Sequence, residues 1–263
     1  MLADAAALKE ILVTTIANNH PKVPGNISED KFQACRQFLG RFVGPRNDGR
    51  IYTLNYDLLL YWALMHDDVA EGDVPVMLRK NDGFGNDEAD PDTDYVVWQG
   101  ETGANAQRVF YLHGALHLFD AGTELKKYTW IRKGDPLIVQ AREAMAANAY
   151  PLFVSEGRSS QKREKIRHNA YLHHGYKSFV TICQQNSGSL FVFGHSFAEN
   201  DDHILSRIGR GKFPAMYVGL YGDPNSPSNR RIQQRAQQLS GMRIAARPLE
   251  IRYFSAASAR VWG

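Results

Sequence analysis

The sequence predicts an α/β fold, a mainly parallel sheet with helices on both faces, in a single domain spanning all 263 residues. Three observations carry this. Apolar runs at Leu152 to Val154, Leu190 to Phe193, Met216 to Leu220 and Ile251 to Phe254 alternate with helical stretches near 160 to 185, 201 to 208, 228 to 239 and 256 to 261. Strands that alternate with helices pair in parallel and are covered on both faces. The run LFVF at 190 to 193 is apolar at both parities, which predicts a central strand buried on both sides. Finally, 43% apolar and 11% aromatic residues suffice for a large core and exclude disorder.

The elements follow in order. Leu8, Ile11, Leu12 and Ile16 recur at helical spacing, and Phe32, Cys35, Leu39 and Phe42 do so again behind Ser28, an N-cap residue type. Ile51 to Leu54 is a short β-prone run that stops at Asn55, and Asp57 to Met65 continues as an apolar helix. Residues 81 to 94 hold two glycines, a proline and six acidic side chains without periodicity, a solvated loop within an inserted segment at 67 to 107. Arg108 to Leu112 reads as a buried strand ending at His113-Gly114, and Leu125 to Ile131 as a further, antiparallel strand. Pro136 opens a helix that runs to Ala147. The alternative division makes residues 115 to 150 a small separate unit.

Charge and cysteine content narrow the function classes. Lys and Arg number 31 against 28 Asp and Glu, a formal charge of +3, so no polyanionic partner is implied and nucleic acid is not expected. Cys35 and Cys183 lie far apart and outside any C-x-x-C pair, which excludes a Cys-based zinc module and points to a cytoplasmic chain. The longest apolar run, Leu58 to Met65, is far short of the ~20 residues that span a bilayer. Asp90, Asp92, Asp94 and Glu101 echo a calcium loop, but Tyr95 replaces its glycine, so a solvated acidic loop is the reading. Arg158, Lys162 and Lys165 read as a solvated helix face, and His168, His173 and His174 have no companion Glu motif, so no metal site is expected.

Ligands of open α/β sheets bind beyond the carboxyl ends of strands. Three polar segments sit there: Asn55-Tyr56-Asp57 after IYTL, His113-Gly114 after RVFYL, and Gly194-His195-Ser196 after LFVF. Each has a structural reading as a turn, a cap or, for His113, a satisfied core histidine. Their recurrence at one kind of position favours a site.

The segment Thr53-Leu54-Asn55-Tyr56-Asp57 resembles the T-x-N-x-D segment of sirtuin-like proteins, and Tyr111-Leu112-His113-Gly114 resembles their catalytic His-Gly. FVFGHSFAENDDHIL at 191 to 205 is similar to a strand-glycine-serine segment in the sirtuin-like domains of bacterial antiphage NAD-consuming proteins. PLFVSEG at 151 to 157, with Lys162 following, is closer still to a bacterial branch of that superfamily. The resemblance spans roughly residues 50 to 220, in four short motifs kept in order. It implies a Rossmann-like sheet without a zinc ribbon, and NAD as substrate or ligand. By the same implication, Asn55 positions ribose and water, Asp57 helps hold nicotinamide, His113 is the base toward a ribose hydroxyl, and Ser196 contacts ribose. Thr53, Gly114, Gly194, His195 and Asp201 complete the implied NAD-binding set, with Asn55 and His113 catalytic. The implied activity is NAD glycohydrolysis in antiphage defence, with a homo-oligomer or a defence-system protein as partner. The competing class is a nucleotide-sensing or partner-binding module without turnover.

Two departures shape these expectations. The four zinc-binding cysteines of sirtuin deacylases are absent, so peptide deacylation and zinc are not expected. The family opens with a strand and a Gly-rich loop, whereas this chain opens with a helical pattern and has no G-x-G-x-x-G; Gly83-Phe84-Gly85 is a weak substitute. The expectation is that roughly 20 to 50 further coding residues, one strand-loop-helix step, precede Met1. Otherwise, the protein has lost dinucleotide binding.

Overall fold

A computed structural model describes residues 7 to 263 apart from 8–9, 12, 17, 67–75, 89, 91–92, 101–106, 123, 130–134, 147–149 and 155–156. Leu8, Leu12, Asp92, Glu101, Ile131, Ala147 and much of the 67 to 107 segment, all invoked above, therefore lie outside the described residues. The fold is mixed α/β, in two compact units: residues 1–154 with 262–263, and residues 155–261. No described helix is long and apolar enough to cross a membrane.

In the first unit, residues 13 to 16 are helical, as the opening periodicity predicts. Helix α1 (Glu29–Val43) buries Phe32, Cys35 and Leu39 of the expected stripe, with Val43 rather than Phe42 as its last buried apolar residue. Ser28 takes the N-cap position in extended conformation, but its hydroxyl makes no cap bond; Glu29 and Asp30 supply the favourable charge in the first turn. Strand β1 (Ile51–Thr53) leads into helix α2 (Leu59–Met65), which buries Tyr61, Trp62, Ala63 and Leu64. The buried Arg36 guanidinium closes this helix by donating to Ala63 O (2.8 Å), Leu64 O (3.1 Å) and Val76 O (2.8 Å).

Two sheets form this unit. Strand β4 (Val109–Tyr111) runs parallel to β1, with Thr53 opposite Tyr111. The larger sheet contains β2 (Phe84–Gly85), β3 (Tyr95–Trp98), β5 (Gly114–Asp120), β6 (Leu125–Tyr128) and β7 (Pro151–Phe153), in the order β2-β3-β6-β5-β7, and every pairing in it is antiparallel. The expected single, mainly parallel sheet is thus not what the described strands form. β5, for which the sequence predicts no strand, is buried at every residue from Gly114 to Phe119. Its apolar run is broken by His117, which hid it from a reading based on periodicity. The predicted helix after Pro136 is α3 (Leu137–Ala146).

The segment at 81 to 94 also differs from a wholly solvated loop. Asp82 is 4% exposed and accepts from Lys127 Nζ of β6 at 2.5 Å. Phe84 and Gly85, within the glycine pair considered as a phosphate loop, pair with Trp98 and Val97 as an edge strand. The pairing of Asp82 with a cation on β6, which β3 separates from β2 in the sheet, is a contact that no local pattern records.

The second unit follows the predicted alternation from residue 159 onward; the strand expected at Leu152 to Val154 as part of that parallel series is instead β7, paired antiparallel with β5 in the first unit. Helices α4 (Ser159–His168) and α5 (Ala170–Cys183) precede β8 (Ser189–Val192); α6 (Asp202–Gly209), β9 (Ala215–Leu220), α7 (Pro227–Gly241) and β10 (Glu250–Ser255) follow. The side chains of Asn169 and Ser226 cap α5 and α7, and Pro227 occupies the first turn of α7. The sheet is parallel, in the order β10-β9-β8. β9, not β8, is central among the described strands. The expectation for 190 to 193 is corrected accordingly: β8 is an edge strand, with Phe191 48% and Phe193 43% exposed. Phe191 instead stacks on Tyr217 of β9, ring centroids 4.6 Å apart. The predicted last helix shrinks to a 3-10 turn at Ala256–Ala259.

Candidate functional site

Because β1 and β4 are parallel and in register, their carboxyl ends lie side by side, and the predicted segments Thr53 to Asp57 and His113-Gly114 leave from the same edge. The chain continues this pairing past the strands: Leu112 N donates to Thr53 O (2.9 Å) and Leu116 N to Tyr56 O (2.8 Å). Thr53 Oγ1 accepts from Asn55 N (3.1 Å), a local turn that sends Asn55 outward. Asn55 is exposed, and its amide side chain has no hydrogen-bond partner among the described residues. Asp57 Oδ1 accepts from Leu59 N (3.0 Å) and so serves the start of α2.

His113 is 3% exposed. Its ring lies 6.4 Å from that of Tyr56, and its carbonyl accepts from Val154 N (2.8 Å). Tyr56 spans the gap to β7: its hydroxyl donates to Val154 O (2.5 Å) and its ring meets Phe153 edge-on. Gly114 has φ +81°, and a Cβ there would stand 1.8 Å from Leu152 O. The glycine of the His-Gly pair is therefore required by the approach of β7, whatever else it does.

Sequence reasoning missed His20. It is 7% exposed; its Nδ1 donates to Pro21 O (2.8 Å) and its Nε2 accepts from Leu58 N (3.1 Å). Both nitrogens are used by the neutral ring, and burial lowers its pKa despite the Pro21 carbonyl and the Asp57 charge. His20 thus holds the residue that follows Asp57. Nothing near His20 in sequence marks that partnership across 38 positions.

The remaining predicted residues belong to the second unit. Gly194 follows β8 with φ +69° and open space where a side chain would stand, and Ser196 is exposed. His195 Nδ1 accepts from Phe197 N (2.9 Å), so the neutral ring carries its proton on Nε2. That nitrogen lies 3.4 Å from Asp201 Oδ2, near enough for attraction but not aligned as a hydrogen bond. Asp201 Oδ1 accepts from Lys162 Nζ of α4 (3.0 Å). Lys162, read from sequence as part of a solvated face, is 5% exposed. Arg235 of α7 adds a second anchor, donating to Phe197 O (3.2 Å) and pairing with Asp202.

His203, also missed, is 4% exposed, with Nδ1 3.4 Å from Ser159 Oγ. Burial first, and then the Lys162 ammonium, push its pKa down to about 4 against the opposing pull of Asp201. It is a neutral imidazole at physiological pH.

Chemically, the first unit offers an unengaged amide beside a buried histidine. The second offers a glycine-serine turn backed by a lysine-carboxylate pair. Both cysteines are free and buried, their thiols pushed up to about 12 by desolvation, which removes them from nucleophilic or metal-binding roles near neutral pH. Comparison with curated proteins and with solved structures yields no match. A family model described as a domain of unknown function, DUF4917, matches residues 1–262, and the chain belongs to that family.

Proposed function

We propose that the chain is a sirtuin-like NAD-binding protein that hydrolyses the nicotinamide–ribose bond in bacterial antiphage defence, acting in the cytoplasm. The observation that carries the reading is the exposed, unengaged Asn55 amide at the carboxyl end of the parallel β1/β4 pair, next to the segment bearing His113. Parallel pairing in the first unit and in the β8–β9–β10 sheet supports the Rossmann-like part of the same reading.

In the reaction, water adds to the ribose anomeric carbon as the bond to the nicotinamide nitrogen breaks. Nicotinamide leaves neutral, and a proton is released with ADP-ribose. The transition state resembles an oxocarbenium ion, so it needs polar groups around ribose more than a strong nucleophile. Asn55 would orient water and ribose, and His113 would accept a hydrogen bond from a ribose hydroxyl. Asp57 and Thr53 would support that turn; in the second unit, taken by itself, the turn bearing Gly194, His195, Ser196 and Asp201 would be a polar subsite of the kind that the resemblance assigns to ribose.

The test is release of nicotinamide from NAD by the purified chain, with Asn55→Ala and His113→Ala alongside. Release that falls in both variants is the expected result. Equal release in all three proteins overturns the site. NAD binding without release makes the protein a nucleotide sensor.

A further inference from the structure

We propose that Lys162 is a positioning residue: through Asp201, its ammonium locks the turn from Gly194 to Asp201 in the shape that receives a ribose-bearing ligand. The identity of that ligand rests on the NAD reading above; the lock itself does not.

The argument begins with the burial of Lys162. A lysine side chain 5% exposed has lost nearly all its hydration, and an apolar residue of the same length would fill its place without that penalty. A buried ion pair is therefore poor evidence for stability and better evidence for a fixed geometry. Here the geometry fixed is that of a turn. Lys162 Nζ, on α4, holds Asp201 Oδ1 at 3.0 Å, and the other carboxylate oxygen faces His195 Nε2 at 3.4 Å. His195 is held from its far side by Phe197 N–H at 2.9 Å, which sets the tautomer that puts the ring proton on Nε2, the nitrogen on the Asp201 side.

One carboxylate thus ties the start of the turn, its end and a separate helix together. Phe197 sits at the middle with φ +58° and its ring buried, a conformation that needs such support. The rear of the turn is fixed, while Ser196 and the space over Gly194 stay open to solvent. A rigid back and an open front are the requirements for a polar subsite on a loop.

The experiment compares wild type, Lys162→Met, Lys162→Arg and the charge-neutral pair Lys162→Met/Asp201→Asn. Ligand-free readouts are amide exchange across residues 194–201 and the ring-nitrogen signals of His195; NAD affinity and turnover follow. In Lys162→Met, exchange in the turn rises about tenfold beyond any change in global stability, and His195 loses its single Nε2–H tautomer. KM for NAD rises about tenfold while kcat stays within about twofold. Lys162→Arg restores the turn in part. Should Lys162→Met fail to fold, the neutral pair leaves no uncompensated charge and gives the same readouts. A turn as protected as wild type in either variant, with one His195 tautomer, overturns the proposal. A wild-type chain that does not bind NAD, with a turn loosened by Lys162→Met, overturns the NAD reading and upholds the lock.

Discussion

Each unit buries a lysine–aspartate pair, and the two do different work. Lys127–Asp82 in the first unit is sealed, with side chains 3% and 6% exposed, and joins strand β6 to the segment before β2. Its ammonium also lies 5.1 Å from the Tyr61 ring and 4.9 Å from that of Phe84, so aromatic faces share in holding it. Lys162–Asp201 in the second unit is less enclosed on its acidic side, 15% exposed, and that side belongs to a turn at a strand end. The same ion pair acts as a structural staple in one place and as a brace for exposed polar groups in the other. The strand-end turn of the first unit needs no such brace, because backbone bonds from Leu112 and Leu116, and the bare Cα of Gly114, hold it.

The staple should be the more costly to break. Lys127→Met leaves the Asp82 carboxylate buried without a counter-charge and is expected to lower unfolding free energy by about 3–5 kcal/mol, read from urea denaturation. Lys127→Met combined with Asp82→Leu should recover most of that loss. If the double variant is no better than the single one, the charge is not the cause.

Gly114→Ala tests whether the first unit's turn rests on backbone approach. A methyl group against Leu152 O, added to a left-handed backbone, should cost roughly 3 kcal/mol, and an Ala variant as stable as wild type would refute the close approach.

The acid limb of stability is the next smaller effect. His203 titrates at about 4 when folded against 6.5 when unfolded, so between those values the unfolded chain binds more protons. Its contribution is complete above 6.5 and is lost as pH falls toward 4. His117 behaves in the same direction: it is fully buried, stacked on Tyr61, with no hydrogen-bond partner for either ring nitrogen among the described residues, and burial lowers its pKa well below the usual value. His203→Gln should flatten the pH 4 to 6.5 slope in the second unit and His117→Phe in the first, measured as melting temperature against pH. An unchanged slope in both would assign acid lability to carboxylates instead.

The smallest stability change belongs to Asn55→Ala, within about 0.5 kcal/mol, because the amide is exposed and unengaged. The same substitution is expected to reduce nicotinamide release at least ~100-fold. A variant that loses stability and activity together would mean that Asn55 is structural.

Much of the site was legible because it depended on short-range chemistry. A β-prone run stopped by Asn55, and another stopped by His113-Gly114, mark strand ends wherever the strands go, and β1 and β4 do end there. Ser28 shows the limit even of local rules, since the residue is at the cap position but its hydroxyl is not used. Lys162 and Asp82 were misread for one reason: composition around each is that of a solvent-facing segment, and burial came from a partner 39 and 45 positions away. His20 and His203 fall in the same class.

The sequence by itself determined the alternation of strands and helices from Ser159 onward, the parallel pairing it implies, the reduced state of the two cysteines, and the strand ends that carry Asn55, His113 and Ser196. Those follow from side-chain periodicity, capping and turn preference, all of which act within a few residues. Tertiary structure alone decided that β4, β5 and β7 rather than β8 are strands buried on both faces, that the larger sheet is antiparallel, and that two lysines are interior. Apolarity at both parities says that a strand is able to be buried twice; which strand is depends on what the folded chain packs against each of its faces. Electrostatics followed the same rule, because a charge is drawn inside where the folded chain brings its counter-charge or, as at Arg36, several backbone carbonyls within hydrogen-bonding distance.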